Sequence, residues 1–226
     1  MKPKHLWIVG TDTDAGKTYV TVELLKALQQ QRQVAAFKPL ASGFPINTSP
    51  MHNPDLEAIS RCQPGIPLKL INQWCFQPAI APHIAAQLTG KLLSVDRWDQ
   101  AVARLQAERF AIKPYQVGLI EGAGGWMLPL NDQQTLDQWR PPALGVILVV
   151  GMKLGCLNHA LLTAQAIQKH HSLVGWFANH MATPMTELAA NIASLRQLLP
   201  APCLGEIPSK GAVTKIHPLL TSWVDR

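Results

Sequence analysis

No apolar run in this 226-residue chain approaches the ~20 residues that span a bilayer, so no membrane helix is expected. Charge is sparse: charged residues make up 15% and hydrophobic ones 47%, the balance of a folded globular chain rather than a disordered one. The net charge is +6, yet the lysines and arginines form no run. That scatter argues against a nucleic-acid partner and leaves an anionic small ligand to explain part of the excess. The cysteines, Cys62, Cys75, Cys156 and Cys203, show no C-x-x-C spacing and read as buried free thiols in a reducing compartment. The histidines show no metal-ligand spacing, and His170-His171 reads as a solvated helix end. No G-x-S-x-G elbow is present, which removes that hydrolase class. The tryptophans are dispersed, as core or surface anchors are, and form no base-stacking platform. With no internal repeat, linker or low-complexity segment, a single domain over 1–226 is expected. Met1-Lys-Pro-Lys-His5 turns at once into a strand with no signal peptide visible, so a cytoplasmic location is expected.

What the chain does have is Gly10-Thr-Asp-Thr-Asp-Ala-Gly-Lys-Thr18, entered from the apolar run Leu6–Val9 and left through a helical pattern over Lys17–Gln31. Strand, glycine-bounded loop, Lys-Thr and helix make a phosphate-binding loop. Loop and helix N–H groups converge on one point at the positive end of the helix dipole, which suits a polyanion. Lys17 adds a full charge for the β- and γ-phosphates, and Thr18 offers a hydroxyl to Mg²⁺. One feature departs from the usual spacing: position 11 is Thr11, and the first glycine is Gly10.

Beyond the loop, strand and helix patterns alternate. Val34–Phe37, Gln116–Glu121, Ala143–Val150, Leu173–Ala178 and Cys203–Ile207 read as strands. Helices are expected from Asn53 (a cap, with Pro54 at the first position) to Cys62, from Pro82 to Leu88, from the cap Ser94 onward, over Asn158–His170 and over Thr186–Leu199. Pro64 to Gln77 reads as irregular. The alternation implies an α/β fold with three α/β/α layers around a mostly parallel sheet, of the phosphate-loop NTPase type.

In such sheets ligands sit beyond the carboxyl ends of the strands. The phosphate loop ends the first strand, and Lys38 and Ser42 follow the second. Glu121 with Gly122-Ala-Gly-Gly125 ends the next, Gly151-Met-Lys153-Leu-Gly155 the long one, and Asn179 the one after. Magnesium takes hard oxygen ligands, and Glu121, after Val117–Ile120, occupies the place of a metal-assisting acid. Asp55 is a second such acid, or else a plain helix N-terminal carboxylate favoured by the dipole. Asp12 and Asp14 read as directed outward, or as secondary metal contacts.

These segments, with Lys38-Pro-Leu-Ala-Ser-Gly43, Asn53-Pro-Asp55, Pro82-His-Ile84 and Val150-Gly-Met-Lys-Leu-Gly-Cys-Leu-Asn-His159, closely resemble the dethiobiotin synthetase family over about residues 5 to 208. The displaced first glycine is itself a trait of that family. The resemblance implies an ATP- and Mg²⁺-dependent cyclo-ligase that closes 7,8-diaminopelargonic acid with CO₂ (or bicarbonate as its source) to dethiobiotin, ADP and phosphate. A carbamate and a carbamic-phosphoric anhydride are the implied intermediates. The implied catalytic residues are Lys17, Lys38 and Thr13: the lysines flank the carbamate and the transferring phosphoryl group, while Thr13 and Ser42 position substrate. Gly124 and Gly125 let the backbone approach the diamine, and Thr18, Asp55 and Glu121 hold Mg²⁺. Asp14, Ala15, Gly16, Lys17, Thr18, Tyr19, Asn179 and Pro208 are implied around the nucleotide, with Asn179 reading the adenine amino edge. A homodimer is implied as well, whose Leu154, Gly155 and Asn158 meet the substrate carboxylate across the interface. After Asn179 the run His180–Pro184 departs from the family pattern, and from Ser209 onward little aligns.

Two other readings share the phosphate loop. A regulatory or partitioning ATPase switch carries an extra lysine early in the loop, where this chain has Thr11, Asp12 and Thr13. The ATP-binding half of an amide-forming cofactor enzyme needs a glutamine-hydrolysing domain, for which no length remains.

Overall fold

The computed structural model describes residues 3–142 and 144–209. Ala143, at the start of the expected long strand, and the stretch from Lys210 onward, His217 included, lie outside the described residues.

A strand covered on both faces must be apolar at successive positions, and β1 (Lys4–Gly10) is buried without a break from Leu6 to Gly10. Its neighbouring side chains enter different cores. Leu6 and Ile8 pack with α1 (Lys17–Gln29) and α2 (Pro54–Arg61), while Trp7 and Val9 face α4 (Val95–Ile112), α5 (Cys156–Gln168) and α6 (Leu188–Leu198). The main sheet runs β2 (Val34–Phe37), β5 (Val117–Glu121), β1, β6 (Gly145–Met152), β7 (Ser172–His180), β8 (Cys203–Ile207), and every adjacent pair is parallel. This is the expected three-layer α/β/α arrangement. From β1 the chain first moves to one side of the sheet, to β2 and β5, and then to the other, through β6 to β8. That reversal opens a crevice at the carboxyl ends beside β1.

The helix expected from Pro82 to Leu88 is α3 (Pro82–Leu88), and two caps are as expected. Asn53 Oδ1 accepts from Leu56 N at 3.1 Å and Ser94 Oγ accepts from Arg97 N at 3.2 Å. The segment read as irregular contains a strand: β4 (Trp74–Phe76) pairs in parallel with β3 (Leu40–Ser42) in a second, two-stranded sheet. Strands of three residues are too short to show a period. Ser42 therefore ends β3 and not β2. The chain leaves β2 where Lys38 N donates to Ile71 O at 2.9 Å and Asn72 Nδ2 holds Lys38 O at 2.7 Å.

Four of the tryptophans, dispersed in sequence, gather in space. Trp7 lies 4.9 Å from Trp126 and 5.1 Å from Trp139, and Trp98 lies 5.8 Å from Trp139. His171 adds its ring edge to Trp7 and Trp126 and meets Arg140 Nη1 at 3.1 Å, so it is half-buried where a solvated residue was expected. Burial, then the neighbouring Arg140 charge, pushes its pKa down. All four cysteines are free; Cys156 and Cys203 are buried, but Cys62 and Cys75 only half so.

His5 gives the fold a pH dependence. Its Nε2 lies 3.2 Å from Tyr115 Oη, opposite Gly118, where a Cβ would come within 2.3 Å of the imidazole. Burial lowers its pKa from 6.5 to about 4. The unfolded chain therefore takes up a proton near pH 6.5 that the folded chain refuses until about pH 4, and stability falls as pH drops through that window. His5 alone is expected to remove about 2 kcal/mol between pH 7 and pH 4.5. Urea unfolding of wild type and His5→Gln at both pH values checks this: the variant should lose less, and an equal loss would clear His5.

Candidate active site

α1 is preceded by the N-cap residue Gly16, whose φ of 86° is left-handed. A Cβ at Gly16 would stand 2.0 Å from Asn179 Nδ2, which itself donates to Ala15 O at 3.0 Å. Asn179, at the end of β7, thus clamps the loop, and its Oδ1 is buried without a partner. Gly16→Ala combines left-handed strain of about 1–2 kcal/mol with a displaced Asn179. Nucleotide affinity is expected to fall at least tenfold, read as Kd by calorimetry; a near-normal Kd would show that the clamp is dispensable.

Lys17 is 5% exposed and donates back across the loop to Asp12 O at 3.1 Å and Thr13 O at 3.0 Å. Burial, reinforced by the Lys38 charge, lowers its pKa to about 8. Asp12 turns away as expected: Oδ1 accepts from Thr13 N at 2.7 Å and Oδ2 pairs with Lys153 at 2.9 Å. That ion pair, which no sequence signal announced, ties the loop to the segment after β6.

Lys38, 4% exposed, stands between two acids, 2.5 Å from Glu121 Oε1 and 2.7 Å from Asp55 Oδ2. Burial disfavours its charge, but Glu121 and Asp55 outweigh burial and raise its pKa. Asp55 shows the converse, its carboxyl held below the usual range by Lys38 despite burial. Thr18 Oγ1 donates to Glu121 Oε1 at 2.5 Å. Three expected metal ligands therefore converge: Thr18 from the start of α1, Asp55 from α2, and Glu121 from the end of β5. Asp55 owes its place to Asn53, whose Nδ2 donates to Ser42 O at 3.0 Å and Gly43 O at 2.7 Å, fastening α2 to β3. The sequence showed Asn53 as a cap and gave no sign of this second task.

The fit of Mg²⁺ follows from the donors. Glu121 is 0% exposed, and its Oε2 is buried with no hydrogen bond. Two carboxylates and a hydroxyl are hard oxygen ligands of the kind Mg²⁺ takes.

A cavity of about 930 Å³ opens over these groups. Thr13, Asp14, Gly16, Lys17, Thr18, Tyr19, Lys38, Ser42, Asp55, Gly124 and Gly125 all line it. Ala15 and Glu121 lie beneath it, 1% and 0% exposed. Tyr19 Oη donates to Pro208 O at 3.4 Å, bringing two expected nucleotide residues together. Leu154, Gly155 and Asn158 lie outside the cavity on the surface; Leu154 is 94% exposed, and Asn158 falls in the first turn of α5, which begins at Cys156. An apolar wall that sequence reasoning missed, including Leu40, Ile80, Met127 and Leu128, completes the lining.

Comparison with known proteins bears on the family of the chain. A family profile described as an AAA domain matches residues 4–217, further than the resemblance at about residue 208 had reached. The ATP-dependent dethiobiotin synthetase BioD of Pseudoalteromonas translucida is 42% identical over 95% of this chain and 94% of its own. The BioD proteins of Cellvibrio japonicus and Salmonella typhi (BioD 1) are 42% and 39% identical, each over 92% of this chain and 90% of their own. Among solved structures, the signal recognition particle receptor FtsY of Elizabethkingia anophelis matches with a TM-score of 0.50 at 14% identity, covering 100% of this chain and 65% of that one, which shows the fold alone. At these identities and coverages, the chain belongs to the ATP-dependent dethiobiotin synthetase family.

Proposed function

We propose that this chain, as one ATP-binding domain, closes 7,8-diaminopelargonic acid with CO₂ to dethiobiotin, converting ATP to ADP and phosphate. The observation that carries the reading is the placement of Lys17 and Lys38 on one cavity above Thr18, Asp55 and Glu121.

A carbamate attacking a triphosphate brings two anions together, so fixed positive charge must hold them in line. One amine of the diamine adds to CO₂ and loses a proton, giving the carbamate. A carbamate oxygen attacks the γ-phosphorus, the bond to the β-phosphate oxygen breaks, and ADP leaves. The second amine attacks the carbonyl carbon, and the carbon–oxygen bond breaks. Phosphate departs and the amine loses a proton as the five-membered urea closes. Lys17 and Lys38 flank the transferring phosphoryl group, Lys38 on the carbamate side. Thr13 and Ser42 orient the diamine, and Gly124 and Gly125 let it lie against backbone. Thr18, Asp55 and Glu121 would hold Mg²⁺, which when bound neutralises phosphate charge. The unpartnered Asn179 Oδ1 is an acceptor suited to the adenine amino group, and Tyr19 and Pro208, joined by their own hydrogen bond, are among the other residues we assign to the nucleotide.

The protein works as a cytoplasmic homodimer, in which Leu154, Gly155 and Asn158 of the second copy receive the substrate carboxylate at the start of α5. With ATP, Mg²⁺ and bicarbonate, phosphate release is expected to need the diamine and to fall at least tenfold without it. Equal release with and without diamine would point to the switch ATPase and overturn the synthetase.

A further inference from the structure

At the end of the molecule away from the phosphate loop, where β2 begins, lies a second cavity of about 280 Å³. Arg32, Arg109 and Lys113 line it together with neutral residues such as Gln33 and Cys62, and no carboxylate does so among the described residues. Arg109, in the last turn of α4, is 3% exposed. Its guanidinium has five N–H donors and uses one, from Nη1 to Lys113 O; Nε is buried with no partner. No carboxylate pairs with it among the described residues, and its one aromatic neighbour, the Tyr115 ring, lies 5.7 Å away.

Closing the C-terminus of α4 explains one donor, because a cation there gains from the helix dipole. It does not explain why the buried guanidinium leaves Nε without a partner, or why Lys113 also lines the same cavity. A buried charge without a counter-ion is unfavourable by several kcal/mol, so an arrangement like this is complete only with an anion. The arginine fork matches tetrahedral and planar oxyanions alike, and Lys113 on the same cavity adds a second positive charge that favours a dianion over a carboxylate. The volume sits just below the ~300–1,000 Å³ of ordinary ligand pockets, which limits the guest to a compact one.

We propose that this cavity binds a phosphate group, either free orthophosphate or the phosphate end of a small monoester. It adjoins Cys62 and Gln63, just beyond the end of α2, and Gln63 clasps both Ala36 N and Ala36 O of β2 at 3.0 Å. The guest thus touches the two elements that present Asp55 and Lys38.

The phosphate loop also takes phosphate, so the test blocks it. Orthophosphate is titrated by calorimetry into the full chain saturated with Mg²⁺ and a non-hydrolysable ATP analogue. One saturable site per chain is expected. Its affinity should fall at least tenfold in Arg109→Gln and severalfold in the surface variant Lys113→Gln, with affinity for the analogue unchanged in both. A parallel titration with methyl phosphate separates the sources: tighter binding of the ester assigns a monoester, weaker binding assigns the free ion. Absence of a saturable site under block, or undiminished affinity in folded Lys113→Gln and Arg109→Gln, overturns the proposal.

Discussion

Replacing Lys38 with alanine is expected to lower turnover by about 10²–10³-fold while nucleotide affinity stays within about threefold. The asymmetry follows from what each lysine touches. Lys17 lies along the phosphate loop, donating to two of its carbonyls, and remains to grip the triphosphate. Lys38 lies across the cavity between Glu121 and Asp55, where charge redistributes during transfer and where a fixed cation counts most. The same change leaves Glu121, at 0% exposure, with a buried charge and no cationic partner. Breaking a buried pair in this way costs about 3 kcal/mol of stability. Lys38→Ala should therefore show a clearly lowered Tm without ligand, with Mg²⁺ recovering part of the loss by taking the place of the ammonium. Steady-state kinetics, nucleotide titration and thermal melts separate these effects. Near-normal turnover in the folded variant would remove Lys38 from the mechanism.

Glu121→Gln is expected to act on magnesium. The substitution keeps the shape of a fully buried side chain and removes one of the two carboxylates that meet at Lys38. Half-maximal activity should then require at least tenfold more Mg²⁺, with turnover at saturating metal down by about 10²-fold. Metal-free ATP should bind no more weakly than to wild type, because a negative charge has left the neighbourhood of the triphosphate. Magnesium titrations at saturating ATP, with nucleotide binding in the presence of a chelator, give both readings. An unchanged magnesium requirement would place the metal elsewhere.

Much of this site was legible in the chain, for reasons that differ from residue to residue. Lys17 and Thr18 announce themselves because phosphate binding needs a strand, a glycine-bounded turn and a helix N-terminus in immediate succession. Glu121 is readable as a lone acid closing an apolar strand. The α/β class follows from runs such as Gly145–Met152, buried throughout and too long for a single covered face. Short-range signals stop there. β3 and β4 are three residues each and gain their pairing from a partner more than thirty positions away, so no local period marks them. Trp7, Trp126, Trp139 and His171 sit in one cluster only because the sheet order brings the β5–β6 connection beside β1. Asn53 fastening α2 to β3, and Lys153 reaching Asp12, are consequences of folding that leave no mark at either position.

A carbamate oxygen is carried against the terminal phosphorus by cations held in one cavity, and an oxygen label follows that atom directly. Freshly mixed carbon dioxide labelled with oxygen-18 is supplied with diamine, ATP and Mg²⁺, and the phosphate from rapidly quenched turnovers is weighed by mass spectrometry. Transfer through a carbamic-phosphoric anhydride leaves one labelled oxygen in each phosphate released. Phosphate carrying no label from carbon dioxide, formed at the same rate as the urea product, would contradict the account.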